Sequence, residues 1–148
     1  MPNTIHLTVA TVVERNGEFL MVRETQDGVQ VINQPAGHVE PGEDVIAAAL
    51  RETLEETGWE VKSTGLLGFS NARSATTGIT YYRLVFIAEP LQFQQDAEID
   101  SDIDSAEWMT LEQIKDPVNK PRSELVHQAV DDFISGRVFP LEIFHNGL

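Results

Sequence analysis

Residues 37–59 constrain this 148-residue chain more than any other stretch. They hold a turn pair, Pro41 and Gly42, then helical spacing from about Glu43 or Asp44 to Thr57, then Gly58, a residue suited to stopping a helix. Three acids, Glu52, Glu55 and Glu56, fall at i, i+3 and i+4, so at 3.6 residues per turn they share one face. That face is at the C-terminal end, where the peptide dipoles already leave negative charge and each acid is disfavoured by ~0.3–1 kcal/mol. Glu52 and Glu56, four apart, repel one another by about a few tenths of a kcal/mol more. An ordinary solvated face is one reading of such spacing. The other is a cation site, because hard divalent ions such as Mg²⁺ take oxygen ligands and meet substrate phosphates.

The helix has two apolar sides. Ile46, Leu50, Thr53, Leu54 and Thr57 line one, and Val45, Ala48 and Ala49 lie with the glutamates on the other. A helix apolar on both sides belongs inside a sandwich of layers. Around it the pattern is that of strands. Residues 5–13 alternate, with Ile5, Leu7, Val9, Thr11 and Val13 on one face. Asn16 and Gly17 predict a hairpin into residues 19–22, and Asp27 and Gly28 a turn into 29–33. Residues 37–39 read as a short extended segment. Further strands are expected at 61–69, 80–88 and 106–109, with a loop at 73–78. Thr110 reads as the N-cap of a short helix to Lys115, and 123–135 as a last helix stopped by Gly136. The order of elements is an α+β plan in one domain spanning 1–148.

Charge narrows the partners. Twenty-four acids against ten Lys and Arg give a net charge of −14, a field that repels nucleic-acid polymers and anionic membranes. A small phosphorylated metabolite would need a divalent cation to approach. With no cysteine, disulfides, thiolate catalysis and Cys-based zinc sites are excluded. No basic leader and no run of about 18 apolar residues is present, so a cytoplasmic protein is expected, as a monomer or homodimer.

The pattern Gly, five residues, Glu, seven residues, Arg-Glu-hydrophobic-x-Glu-Glu-x-Gly-hydrophobic resembles the signature of the Nudix hydrolases. Gly37, Glu43, Arg51, Glu52, Glu55, Glu56 and Gly58 fill its fixed positions and Trp59 its last hydrophobic one. Thr53 departs, standing where an aliphatic residue is usual. The resemblance implies a mixed β-sheet sandwiched between α-helices. It also implies a Mg²⁺ site (Mn²⁺ as a possible substitute) at Glu52, Glu55 and Glu56, assisted by the backbone carbonyl of Gly37. One of those glutamates is implied as general base, without the residues deciding which. Arg51, eight positions from Glu43 and near the same azimuth, is implied to orient the glutamates; an ordinary surface pair is the competing reading.

Outside the signature, Asp100, Asp102 and Asp104 concentrate carboxylates ahead of Trp108. They fail as a calcium loop, because Ser105 stands where glycine is required and Leu111 where the bidentate glutamate belongs. Family resemblance implies one further carboxylate ligand here, with Asp102 first and Asp104, Asp100 and Glu98 behind it. Arg73, Arg83, Arg122 and His127 are scarce basic residues able to meet a substrate phosphate, and His38 can line the pocket. His6 and His145 carry no argument. Tyr81, Tyr82, Phe69 and Trp59 can stack on a heterocycle, although strand aromatics usually pack in cores.

Within the family the chain looks like the bacterial NudJ-type phosphatases. The matching stretches are residues 6–10, 33–38, 100–104, 135–137 and 140–142. That resemblance implies removal of the terminal phosphate from nucleoside tri- and diphosphates, and hydrolysis of hydroxymethylpyrimidine diphosphate and thiamine diphosphate. Internal cleavage of ADP-ribose or an oxidised nucleotide is the alternative. A non-catalytic nucleotide-sensing module is a remoter one, since such modules lose signature glutamates and this chain keeps them.

Overall fold

A computed structural model describes residues 4–145. In chain order it runs β1 (Ile5–Arg15), β2 (Glu18–Gln26), β3 (Val29–Asn33), β4 (Ala36–His38), α1 (Val45–Thr57), β5 (Trp59–Arg73), β6 (Thr80–Phe93), β7 (Ile103–Thr110), α2 (Leu111–Lys115) and α3 (Glu124–Ile134). A single 3₁₀ turn at Leu141–Ile143 follows.

The strands form one mixed sheet in the order β3-β2-β1-β6-β5, with β4 added on β1 and β7 on β2. β1 runs parallel to β6, from Ile5 opposite Thr80 to Val13 opposite Ala88. Its remaining pairing is shared. β4 takes Thr8 to Ala10, while β2 meets it only at Glu14 and Arg15. The sheet therefore opens between β4 and the body of β2. Asn16 and Gly17 make the first hairpin with φ of 53° and 81°, the left-handed pair that a tight two-residue turn needs.

Period-two alternation sorts the core into two layers. Val9, Leu84 and Phe86 face α1, packing on Ala48 and Ala49. Ala10, Val12, Leu67 and Val85 face the opposite way, onto Val126, Ala129 and Val130 of α3 and Ile114 of α2. The sheet is thus sandwiched between helices, as the α+β reading expects. The N-cap Thr110 stands where the sequence places it, in a reciprocal box with Gln113, while Ser123, read as the first residue of the last helix, caps it instead.

Five strands are longer than alternation predicts. β1 and β2 run to Arg15 and Gln26, β5 and β6 extend to Arg73 and Phe93, and β7 already begins at Ile103. The outer parts of β2 and β5 are mostly polar and at least partly exposed, so backbone pairing holds them where hydrophobic patterning gives no signal, while β6 runs on past Pro90 to exposed Leu91 and Phe93. The 3₁₀ turn was not expected either. The chain before it crosses β5, where Phe139 exchanges two 2.8 Å backbone bonds with Leu66, and then lays Leu141 and Phe144 against the α1-side core. No helix among the described residues is long and apolar enough to cross a membrane.

Candidate active site

The carboxylate end of α1 is held at the opening in the sheet by local chemistry at both ends of the helix. Gly42 takes φ 77° in the turn before it, closed by the 3.0 Å bond from the Glu43 N–H to the Glu40 carbonyl. Asp44 caps the start through Ala47 at 3.0 Å, and Gly58 ends the helix in the left-handed region at φ 79°. Ala48 and Ala49 are small enough to bring the helix close to β1. Thr53, the signature's departing position, is fully buried. It donates to the Ala49 carbonyl at 2.8 Å, so its single proton is committed and the Thr11 hydroxyl donates to it, also at 2.8 Å. A hydroxyl pair replaces the usual aliphatic contact between helix and sheet.

The three glutamates stand in three environments. Glu56 is buried, and its Oε1 accepts the Ala36 N–H at 2.9 Å. Burial pushes its carboxyl up to about 8; the Ala36 bond opposes this, and the charges of Glu24, Glu52 and Asp100 add to it. Glu52 lies against Gly37, and a Cβ at that position would collide with its carboxylate. Burial also raises the Glu52 carboxyl, against the pull of Arg51. Glu55 is exposed. Arg51 gathers the acids. Its guanidinium takes Glu43 bidentately at 2.7 and 3.0 Å, Glu52 at 2.9 Å and Glu55 at 3.2 Å, and donates to the His38 carbonyl at 3.1 Å. The bond from Arg51 holds the Glu43 carboxyl below its usual range.

The other candidates separate. Asp102 and Arg122 share an open cleft of about 440 Å³ with Glu24, Thr25, Gln26, Ser101 and Asp104. Asp104 is tied to Thr25 and Gln30 at 2.6 and 3.2 Å. Asp100 sits closer to the glutamates than Asp102 in electrostatic terms, since its charge acts on both Glu52 and Glu56, and its N–H donates to the Glu55 carbonyl. Arg83 is buried among the side-chain oxygens of Asn33 and Gln34 and the Leu125 carbonyl. Arg73 is exposed at the end of β5, opposite Thr80. His127 contacts the Ile114 carbonyl, in the helical layer. His38 is exposed and its Nε2 lies 3.0 Å from Nδ1 of His6, whose ring meets Tyr81 edge-on. Burial first, then His6 and Arg122, lower the His38 pKa. Trp59 packs with Trp108 and Phe93.

Sequence reasoning missed Glu24, Asn33, Gln34 and His6. The first three reach Arg83 and Arg122 across 49 to 98 residues of chain, a separation that no local spacing reveals. For His6, the alternation of β1 already placed it on the face opposite Val9, but its partner lies on another strand.

Glu52, Glu55, Glu56 and the cleft aspartates are hard oxygen donors of the kind Mg²⁺ prefers. Gly37 leaves room for the Glu52 carboxylate, and Glu56 is a buried acid with one N–H partner. These residues fit a divalent ion in donor chemistry. Among the described residues no three acids or imidazoles converge closely enough to hold one as the side chains stand, because Arg51 draws Glu52 and Glu55 while Glu56 turns to Ala36.

A NUDIX domain family model matches residues 4–129, and the chain belongs to that family: it is a Nudix hydrolase. Such enzymes generally use a divalent metal and act on small phosphorylated metabolites. The chain is 38% identical to Phosphatase NudJ of Escherichia coli (strain K12) over 138 residues, 93% of this chain and 89% of that one. A NUDIX hydrolase from Nitrosomonas europaea superposes with a TM-score of 0.92 at 35% identity, covering 97% of each chain. A MutT NUDIX hydrolase from Burkholderia pseudomallei, at 19% identity and TM-score 0.73 over 87% of this chain and 98% of that one, shares the fold.

Proposed function

We propose that the chain, a single domain over 1–148, is a Mg²⁺-dependent phosphohydrolase. It removes the terminal phosphate from nucleoside tri- and diphosphates and acts on hydroxymethylpyrimidine diphosphate or thiamine diphosphate. The observation that carries this reading is the buried Glu56 carboxyl beside Glu52 at the opening of the sheet, where a cation can take the place of the proton that burial keeps on Glu56. The similarity to Phosphatase NudJ supports the substrate class. A cytoplasmic setting goes with it, since nucleotides are cytoplasmic metabolites, and the −14 charge argues against nucleic-acid or membrane partners.

Glu52, Glu55 and Glu56, with the Gly37 carbonyl and Asp102 or its neighbour Asp100, would hold Mg²⁺, or Mn²⁺ in its place. When bound, the ion polarises phosphoryl oxygens and lowers the pKa of water. Arg51 keeps the glutamates oriented by bonding two of them and the Gly37 neighbour His38. Glu56 receives Ala36 on Oε1, which leaves Oε2 as the atom that carries its proton in the metal-free protein. Arg122, with His38 and Arg73 as further candidates, meets the substrate phosphates; Arg83 acts through its charge. Water adds to the terminal phosphorus, its P–O anhydride bond breaks, and orthophosphate and the shortened phosphate leave.

The test is a screen of purified protein across nucleoside tri- and diphosphates, hydroxymethylpyrimidine diphosphate and thiamine diphosphate, reading phosphate and pyrophosphate separately. Orthophosphate that appears with Mg²⁺ and stops with EDTA is the expected result. Pyrophosphate with a nucleoside monophosphate would replace this reading by internal cleavage.

A further inference from the structure

The wall facing the glutamates is built from residues of β2, the β3–β4 connection, β6 and the approach to α3. Glu24 of β2 is largely buried, its side chain 13% exposed. The register with β7 shifts between Arg23 and Glu24, a bulge of the sort that re-aims a side chain beside a site. Its Oε1 accepts Arg122 Nη1 at 3.0 Å and the Asn33 amide at 3.4 Å. Asn33 offers its other side-chain atom to Arg83 Nη2 at 3.1 Å. Arg122 is fixed at the backbone too, since its N–H donates to the Ile32 carbonyl at 2.9 Å and Ser123 begins α3 just after it.

Charge in this network does not balance. Arg83 and Arg122 supply two cations and Glu24 one anion. Arg83 is 8% exposed and its bonded partners are neutral oxygens, with no carboxylate at ion-pair distance among the described residues. Burial and Arg122 pull the Arg83 pKa down to about 10, which leaves it cationic at neutral pH. Arg122 lines the open cleft with Glu24, Asp102 and Asp104, and Arg83 lies behind it in the same bonded network, so a phosphate entering with a divalent cation for the aspartates would meet the Arg122 guanidinium.

We infer that Glu24 is a positioning residue: it holds the Arg122 guanidinium on the cleft wall, where Arg122, backed by the charge of Arg83, binds a phosphate of the substrate. The inference rests on the phosphohydrolase reading for the identity of that anion. Glu24 does not touch the reacting atoms. Its carboxylate fixes the direction of the guanidinium, and Asn33 braces the carboxylate from behind.

The experiment compares Glu24→Gln, Arg122→Met, Arg122→Lys and the Glu24→Gln/Arg122→Met double variant. It reads kcat and KM for the best nucleotide, and the calorimetric Kd for β,γ-methylene adenosine triphosphate with Mg²⁺. Loss of one charge-assisted bond corresponds to about a 10- to 100-fold change. KM and Kd should rise by about tenfold or more in Glu24→Gln and Arg122→Met, with kcat changed by less than about threefold. The double variant should be no weaker than Arg122→Met alone, because Glu24 acts only through Arg122, and Arg122→Lys should recover part of the loss. A fall in kcat at unchanged KM in Glu24→Gln would place Glu24 with the metal instead and overturn the inference. So would additive losses in the double variant, or a lowered Tm that accounts for the loss through folded fraction. If the wild type releases no phosphate in Mg²⁺, the parent reading fails, while the Kd comparison still decides whether Glu24 governs anion binding.

Discussion

Two neighbouring walls of this molecule partner their charges in opposite ways. On the α1 side Glu43, Glu52, Glu55 and Glu56 outnumber Arg51, which bonds the first three and leaves Glu56 to a backbone N–H. On the β2–α3 side Arg83 and Arg122 outnumber Glu24. Each wall holds one buried ionisable group without an ion-pair partner among the described residues: burial keeps the proton on Glu56, while Arg83 rests on neutral oxygens. Under the proposed function, a phosphate ester arriving with a divalent cation would bring the cation to the first wall and the anion to the second.

The comparison breaks most easily at Glu56. Glu56→Gln keeps the Ala36 bond and removes the charge, and phosphate release should drop by about 10²–10³, the scale for removing one preorganised electrostatic group, while circular dichroism stays native. Undiminished turnover would show that the acidic wall is not catalytic. Arg51→Met should follow, with a loss of about 10–100-fold in kcat and a stability decrease of about 2 kcal/mol in urea melts, because Glu43, Glu52 and Glu55 are left facing one another. A variant of wild-type activity would reduce Arg51 to a surface pair.

A pH series sharpens the same wall. The folded Glu56 carboxyl, pushed up to about 8, binds its proton more tightly than the unfolded one at about 4.5. Its contribution to stability is therefore greatest below the unfolded value and is lost as pH rises through about 8. The Tm of metal-free protein should fall across that window, and the Tm gain on adding Mg²⁺ should grow over it. A flat metal-free profile would mean that Glu56 is not desolvated. The smallest effect is expected at Thr53→Val, about 1 kcal/mol from the orphaned Thr11 hydroxyl with kcat unchanged, since that face of α1 only packs. A larger kcat loss there would tie helix seating to catalysis.

The two walls also differ in how they can be read from residues. Glu52, Glu55 and Glu56 lie within one helical turn and a half, so spacing alone puts them on one face, and the stop at Gly58 is legible in the same local way. What spacing could not give was their inequality: burial of Glu56 and exposure of Glu55 depend on where β4 ends. Glu24 and Arg122 are 98 residues apart and meet because the segment at Arg122 docks on Ile32. Arg83 reads from the sequence as a basic residue able to meet a phosphate, because the Gln34 and α3 groups that bury it lie far from it in the chain. The outer end of β5 is mostly polar and has no hydrophobic period, and Pro90 reads as a stop although β6 runs through it.

The central claim, that the carboxylates at the end of α1 receive a divalent cation, is tested most directly by titrating metal-free protein with Mn²⁺ and following free ion by electron paramagnetic resonance. Wild type is expected to take up the ion, and Glu56→Gln and Glu52→Gln to bind it at least about tenfold more weakly. Equal binding by wild type and both variants would contradict the account.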